Sequence, residues 1–177
     1  MTQSPNHSII IEEQGPRDGW QVEKQFIDTE TKVSFIERLV DAGLKRIQIT
    51  SFVNPKYVPQ MIDAEEVCLR IKKKEGVIYS GLVLNAKGVD RAVKAGLTHI
   101  SASISASDTH SRKNANKNLE EAQVEFEEML RVAKEANLVV RGGLQCAFGC
   151  RYEGKIDEQK VLDLVKQIGR ASCRERV

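Results

Sequence analysis

The chain has 177 residues, of which 29% are charged, and a formal net charge of +2. This length suffices for one sizeable core, and the nearly balanced, interspersed charge gives no basis for binding nucleic acid or an acidic membrane surface. No apolar stretch approaches the roughly 20 residues that span a bilayer, so a membrane is not an expected partner either.

The first seven residues lack the charge and apolar pattern of a signal or transit peptide. The four cysteines, Cys68, Cys146, Cys150 and Cys173, show no paired framework of the kind that secreted proteins carry. These features predict a cytoplasmic protein with reduced thiols. Cys146 and Cys150 are expected to be small, reduced residues at a strand end, because a zinc site would need partners that the sequence does not supply.

Strand and helix patterns alternate along the chain. Apolar runs predict strands at residues 8–13, 46–50, 77–83, 98–104 and 138–146, and periodic apolar residues predict helices that begin near residues 29, 63, 87, 118 and 155. Asn118 and Glu121 match a capping box. Short apolar strands that alternate with helices are typical of a parallel sheet.

The joints between each helix and the next strand are short and carry Gly43, Gly76, Gly96 or Asn137, where we expect a left-handed backbone. The sequence has no glycine fingerprint for a dinucleotide, which favours an α/β fold of the (β/α)₈ TIM-barrel type over a doubly wound sheet. A full barrel takes roughly 250 residues. The pattern therefore predicts a TIM barrel truncated after about five β/α units.

The long connections all follow strands, at residues 15–28, 51–61, 105–117 and 147–154. In such a barrel the loops after the strands carry the chemistry. Arg17 and Asp18 lie in the first of them, within Gly-Pro-Arg-Asp-Gly. A carboxylate beside a guanidinium is suited to holding a divalent cation and stabilising an oxyanion, although the same residues also make ordinary surface turns.

Three segments carry a resemblance to a known family: Gly-Pro-Arg-Asp-Gly-Trp-Gln at 15–21, Thr-Ser-Phe-Val-Asn-Pro-Lys-Tyr-Val-Pro-Gln-Met at 50–61, and Gln-Cys-Ala-Phe-Gly-Cys-Arg-Tyr-Glu-Gly-Lys at 145–155. With these, the chain resembles the hydroxymethylglutaryl-CoA lyases, which belong to the metal-dependent lyase and synthase barrels. The resemblance implies cleavage of hydroxymethylglutaryl-CoA, or a related hydroxyacyl-CoA, to acetyl-CoA and acetoacetate. It also implies an acyl-CoA substrate as partner, Mg²⁺ or Mn²⁺ as cofactor, and leaves open a homodimer of the complete protein.

The resemblance also implies roles for individual residues. Arg17 matches the catalytic, substrate-binding arginine that stabilises the enolate oxygen, Asp18 matches the metal-ligating aspartate, and Gln21 matches a polar substrate contact. Trp20 stands where the family has Leu, and Gln48 stands where it has Glu. The other metal ligands and the catalytic cysteine of the family have no counterpart and are expected beyond residue 167.

Gln48 lies between Ile47 and Ile49 in a predicted strand, so its side chain should face the barrel interior while the isoleucines face the helices. Two alternative functions stay open. One is an acyl-CoA condensing enzyme of the same superfamily, against which the segments at 50–61 and 145–155 argue. The other is a non-catalytic, diverged barrel fragment, which Gln48 and the unmatched ligands favour for the chain as given.

The last ten residues, Ile-Gly-Arg-Ala-Ser-Cys-Arg-Glu-Arg-Val at 168–177, resemble the translation of a common short-read sequencing adapter. We therefore predict that residues 1–167 are the N-terminal part of a single TIM-barrel lyase domain. Residues 168–177 are predicted to be a non-native tail, which should be left out of fold reasoning.

Overall fold

A computed structural model describes residues 9–172 of the chain. At its centre is a four-stranded sheet whose strands lie side by side in chain order, and all of its pairings are parallel. The strands are β1 (Arg46–Ser51), β2 (Ile78–Leu82), β3 (His99–Ser105) and β4 (Val139–Gln145). Parallel strands in sequential order with helical crossovers form the wall of a (β/α) barrel, and the predicted parallel sheet is confirmed.

Six α-helices accompany the sheet: α1 (Thr29–Asp41), α2 (Ala64–Arg70), α3 (Ala86–Lys94), α4 (Asp108–Ala115), α5 (Leu119–Glu135) and α6 (Glu158–Ser172). The capping box at the start of α5 is confirmed, because the side chains of Asn118 and Glu121 each accept the other's backbone N–H. None of the helices in the described part of the chain is long and apolar enough to cross a membrane.

Alternate residues of the strands form the core against the helices. Ile47 and Ile49 on β1 and Ile100 on β3 are almost completely buried, and they belong to one apolar cluster with Val33 and Ile36 of α1. The helix side is packed so closely at β2 that a Cβ on Gly81 would lie 2.7 Å from the ring of Phe52. The opposite face of the sheet is polar, and it is this face that the first loop approaches.

All four helix-to-strand joints are left-handed as predicted, with φ of +99° at Gly43, +73° at Gly76, +71° at Gly96 and +56° at Asn137. The end of α2 differs from the sequence-based expectation, because the helix ends at Arg70 and not near Gly76. Ile71 adopts an extended backbone there, and its side chain is buried in the core.

The predicted strand at 8–13 is wrong in extent. Among residues 9–13, only Glu13 pairs with the sheet, through a parallel bridge to Ile47 in which Glu13 N donates to Arg46 O at 2.9 Å and Gln48 N donates to Glu13 O at 2.8 Å. Ile9, at 90% exposure, and the two isoleucines after it lie outside the core. An apolar run becomes a buried strand only when neighbours cover it, and this segment meets the sheet at one residue. Residue 8 lies outside the described part.

The helix α6 begins at Glu158, somewhat later than predicted, and it runs into the predicted tail as far as Ser172. Ile168 is buried and belongs to the core cluster. Helix formation does not bear on where these residues come from, so the non-native tail stays a prediction. Residues 173–177 lie outside the described part.

A buried ion pair holds the first loop against the barrel. Lys32 of α1 is 2% exposed, and its Nζ donates to Asp63 Oδ1 at 2.7 Å and to Gln60 O at 2.5 Å. The Gln60 side chain in turn binds the loop backbone, accepting from Ile27 N at 3.1 Å and donating to Gln25 O at 2.6 Å. The segment that follows the Arg17 and Asp18 turn is therefore fixed by side chains from two other elements.

We expect the chain expressed alone to self-associate and to be inactive. Within residues 9–172, β4 pairs only with β3, and its polar-face residues Arg141 and Gln145 are exposed, which leaves an open parallel edge. Sedimentation velocity measures the association and a lyase assay measures activity. A monomer that unfolds cooperatively and cleaves hydroxymethylglutaryl-CoA would contradict this expectation.

Candidate functional site

The turn that carries Arg17 and Asp18 is a short π-type helical turn, Gly15–Gly19, and not a plain loop directly after a strand. Pro16 is buried at its start, and the Glu13 carboxylate accepts the N–H of Gly15 at 2.6 Å. Because Glu13 pairs with Ile47 of β1, this turn begins at the edge of the sheet. The turn therefore places Arg17 and Asp18 at the polar face of the sheet, next to β1.

The guanidinium of Arg17 is the centre of the site. Its Nε donates to Gln48 Oε1 at 2.5 Å, its Nη1 to Asp18 Oδ1 at 2.5 Å, and its Nη2 to Gln14 Oε1 at 2.8 Å. The Arg17 side chain is 15% exposed, whereas that of Asp18 is 69% exposed. Three acceptors in different directions fix the plane of the guanidinium, and two of its five N–H groups remain for a ligand.

Gln48 connects this arginine to the sheet. It is 1% exposed in the middle of β1, and its Nε2 donates to Ser101 Oγ on β3 at 2.9 Å. Its amide therefore links Arg17 to β3, which is separated from β1 in the sheet by β2. The prediction that Gln48 faces the barrel interior, with Ile47 and Ile49 toward the helices, is confirmed.

Glu12 and Arg141 form a second polar cluster beside the one around Arg17. Glu12 contacts the guanidinium of Arg141 on β4 and accepts from Gln14 Nε2 at 3.3 Å, so Gln14 links the Glu12 and Arg17 groups. Sequence reasoning missed Gln14, Ser101 and this pair. The available signal was the alternation of polar residues along predicted strands, which places Ser101 and Arg141 in register on one face.

Gln21 is placed near the end of the same turn, but within the described residues no hydrogen bond joins it to Arg17 or Asp18. Its side-chain oxygen is buried and has no hydrogen-bond partner among residues 9–172. A buried acceptor without a donor costs free energy, which a ligand that supplies an N–H or O–H would recover. Gln21 is thus suited to a substrate contact.

Trp20 packs its ring against Phe35 of α1 with an edge-on geometry, the ring centroids being 5.7 Å apart. This contact explains how a large aromatic side chain is accommodated between two site residues, Asp18 and Gln21. Trp20 is the one tryptophan of the chain, so its fluorescence reports on this turn.

Asp18 offers one exposed carboxylate, a hard oxygen ligand of the kind that Mg²⁺ and Mn²⁺ prefer. Across residues 9–172, however, no three His, Cys, Asp or Glu side chains come together as a metal site. One carboxylate does not complete the coordination of either ion. The Asp18 carboxylate is thus the right type of donor for Mg²⁺ or Mn²⁺. A site at Asp18 would take its further ligands from outside the described residues.

A family model described as HMGL-like matches residues 8–175 of the chain. The chain belongs to the HMGL-like family. The match reaches beyond residue 167 and includes part of the predicted tail, whose origin it does not decide.

Named relatives agree with this membership. The chain is 44% identical over 167 residues to the mitochondrial hydroxymethylglutaryl-CoA lyase of Macaca fascicularis, covering 94% of this chain and 51% of the relative. It is also 44% identical to the cytoplasmic 3-hydroxy-3-methylglutaryl-CoA lyase of Homo sapiens, with 94% of this chain and 45% of the relative covered. The chain spans about half the length of the curated relatives it matches.

Solved structures of this family confirm the fold. The HMG-CoA lyase of Bacillus subtilis superposes with a TM-score of 0.90 at 38% identity, over 94% of this chain and 56% of that one. An Acinetobacter baumannii HMG-CoA lyase, solved with coenzyme A and 3-methylmalate, gives a TM-score of 0.86 at 34% identity, over 92% of this chain and 53% of that one. The HMGL-like chain thus has the TIM-barrel fold and covers about half of the barrel.

The Gln48 position allows a test in a complete barrel, for which we define a hybrid enzyme: residues 1–167 of this chain joined to the part of the Bacillus subtilis lyase beyond the matched region. Gln48→Glu should leave the melting temperature nearly unchanged, because a carboxylate still accepts from Arg17. The bond to Ser101 is kept with its direction reversed, since the Ser101 hydroxyl can donate to a carboxylate in place of accepting from the Gln48 amide. The added negative charge should change Mn²⁺ affinity or substrate preference, which metal titration and kinetics with two acyl-CoA substrates measure.

Gln48→Leu serves as the control, since it fills similar space without either hydrogen bond. A large loss of melting temperature in Gln48→Glu, with unchanged metal affinity and unchanged kinetics, would show that Gln48 is only a structural residue.

Proposed function

We propose that the protein to which this chain contributes is a divalent-metal-dependent carbon–carbon lyase. It cleaves hydroxymethylglutaryl-CoA, or a related hydroxyacyl-CoA, to acetyl-CoA and acetoacetate. The observation that supports this most directly is the guanidinium of Arg17, held by hydrogen bonds from three directions at the polar edge of β1. The family membership and the lyase relatives supply the reaction class.

Arg17 has the properties that stabilisation of an enolate oxygen requires. Cleavage leaves negative charge on the oxygen of the departing acetyl-CoA enolate, and a fixed cationic donor stabilises that charge without reorganising during the reaction. Gln48 and Gln14 hold the guanidinium through neutral acceptors, so they orient it without cancelling its charge. Asp18 does carry a negative charge, and its exposure to solvent weakens that pairing.

Asp18 is proposed to hold Mg²⁺ or Mn²⁺ as one of several ligands. When bound, the cation supplies Lewis-acid polarisation of the substrate hydroxyl and the oxygens next to it. Gln21, whose buried oxygen has no partner in the described part of the chain, is proposed to accept a hydrogen bond from the substrate. The base that removes the hydroxyl proton is not assigned to a residue of this chain.

The proposed partner is an acyl-CoA, which agrees in chemistry with the coenzyme A bound to the Acinetobacter baumannii relative. A cytoplasmic location is proposed because one relative is named cytoplasmic, although another is named mitochondrial. A homodimer of the complete protein remains a proposal. The condensing reaction is the second candidate, and consumption of acetyl-CoA in place of its release would identify it.

Arg17→Ala and Asp18→Ala in the hybrid enzyme should both abolish useful turnover, by different routes. Loss of Arg17 removes an oxyanion donor and should lower kcat by about 10²- to 10³-fold with little effect on Mn²⁺ affinity. Loss of Asp18 removes a ligand and should weaken Mn²⁺ binding. Steady-state kinetics and a Mn²⁺ titration measure these effects.

Arg131→Ala and Asp41→Ala are matched controls, because they remove the same charges from exposed helix positions. Both should retain the activity of the parent hybrid. A soluble, cooperatively melting hybrid with no lyase activity would contradict the proposed reaction, and near-parental turnover in Arg17→Ala or Asp18→Ala would contradict the assigned roles.

A further inference from the structure

The side chain of Gln14 lies between a carboxylate and a guanidinium. Its Nε2 donates to Glu12 Oε2 at 3.3 Å, and its Oε1 accepts from Arg17 Nη2 at 2.8 Å. One end of the amide therefore contacts a negative group and the other end contacts the guanidinium at the centre of the site.

These two neighbours allow the Gln14 amide only one orientation. An ionised carboxylate can only accept hydrogen bonds and a guanidinium can only donate them, whereas an amide has one accepting end and one donating end. A flipped amide would turn its NH₂ group toward the N–H groups of Arg17 and its oxygen toward the carboxylate of Glu12. The carboxylate of Glu12 thus determines that an acceptor faces Arg17.

Glu12 is itself fixed by two strands of the sheet. Its side chain is 12% exposed and contacts the guanidinium of Arg141 on β4. The Ser80 hydroxyl on β2 donates to Glu12 Oε1 at 3.5 Å. Because Arg141 balances its charge, Glu12 can stay ionised in the barrel interior and remain an acceptor for Gln14.

The three acceptors of the Arg17 guanidinium are held in different ways. Gln48 is buried on β1 and fixes Nε, whereas Asp18 is 69% exposed and is the next residue in the chain, so it moves with the turn. Gln14 is the acceptor for Nη2, and it is joined to the sheet through Glu12. Two opposite sides of the guanidinium plane are therefore tied to the sheet, one through Gln48 and one through Glu12.

We propose that Glu12 is a positioning residue for Arg17 and acts through the amide of Gln14. The order of carboxylate, amide and guanidinium orients Arg17 without neutralising it, because the charged group is one side chain removed from the cation. A carboxylate in direct contact would cancel part of the positive charge that a developing oxyanion needs. The catalytic consequence rests on the proposed lyase function, whereas the orientation of Arg17 can be measured without it.

The hybrid enzyme, grown with ¹⁵N-labelled arginine, allows both to be measured. Three fixed acceptors should slow rotation of the Arg17 guanidinium, so its Nη1 and Nη2 should give separate NMR signals, which are assigned by their loss in Arg17→Lys. In Glu12→Gln the Gln14 amide can flip, and the two signals should broaden or merge. The kcat should fall by about 3- to 10-fold with KM little changed, as expected for the loss of one hydrogen bond.

An exchange of the two side chains separates orientation from charge. The double variant Glu12→Gln and Gln14→Glu has the same composition as the parent, and its new carboxylate accepts from Arg17 whichever way it is turned. We expect the separate Nη1 and Nη2 signals to return. The kcat should stay low, because the carboxylate now contacts the guanidinium directly.

Glu128→Gln is the matched control, since it removes a carboxylate from a guanidinium partner, Arg131, on the exposed face of α5. It should leave the Arg17 signals and kcat unchanged. Gln14→Leu is a second variant in case Glu12→Gln does not fold. It removes the connecting amide but keeps the contact between Glu12 and Arg141, and it should merge the Arg17 signals in the same way.

Parent-like Arg17 signals in a folded Glu12→Gln or Gln14→Leu would overturn the proposal. Failure of the double variant to restore separate signals would also overturn it, because Glu12 would then act by pairing with Arg141 and not by orienting Gln14. A parent hybrid without lyase activity would contradict the proposed function alone, and the Arg17 signals would still decide whether Glu12 positions the guanidinium.

Discussion

The hydrogen bond from Arg17 Nε to the side-chain oxygen of Gln48 is the interaction on which the site depends. Among residues 9–19, backbone pairing with the sheet is confined to the bridge at Glu13, so backbone pairing alone does not fix where the guanidinium lies. The buried amide of Gln48 does so, because Ser101 holds its other end. A donor for a developing oxyanion has to be oriented before the reaction begins, and here two strands of the barrel provide that orientation.

Side chains also fix the loop that follows the Arg17 turn. The Lys32 ammonium is buried, and a buried charge is tolerated only when it is paired and hydrogen-bonded, as it is by Asp63 and the Gln60 carbonyl. The Gln60 side chain binds the backbone on both sides of Phe26, whose ring lies 4.5 Å from the Lys32 ammonium. Packing and charge pairing therefore restrict the segment that follows Asp18 and Gln21. Mobility of this segment would disturb the positions of these two residues.

The sequence was sufficient for features that local sterics and capping determine. Gly43 and Asn137 lie where the backbone must be left-handed, and the Asn118 side chain accepts a free N–H at the start of a helix. The local structure at each of these positions can therefore be predicted without knowing which residues lie near it in space. The helix α4 was not predicted because its residues are nearly all polar and lack apolar periodicity. It is set instead by the Ser107 hydroxyl, which accepts the N–H of His110 at 3.0 Å.

Features that depend on partners distant in the chain could not be predicted. The isoleucines after residue 8 have strand composition, yet among residues 9–13 only Glu13 pairs with β1. Arg17 and Asp18 were identified from a motif that resembles a family, whereas Gln14 and Ser101 belong to no such motif. Strand alternation places Ser101 on the polar face, but its bond to Gln48 depends on the assembled strands, as does the bond from Arg17 to Gln14.

A double-mutant cycle on kcat between Arg17 and Gln48 in the hybrid enzyme tests the central claim most directly. If Gln48 acts by orienting the guanidinium, Gln48→Leu should lower kcat clearly when Arg17 is present and have little further effect in Arg17→Ala, which gives a coupling free energy of about 1–3 kcal/mol. Equal effects of Gln48→Leu in both backgrounds, and so a coupling near zero, would show that Gln48 does not act through Arg17.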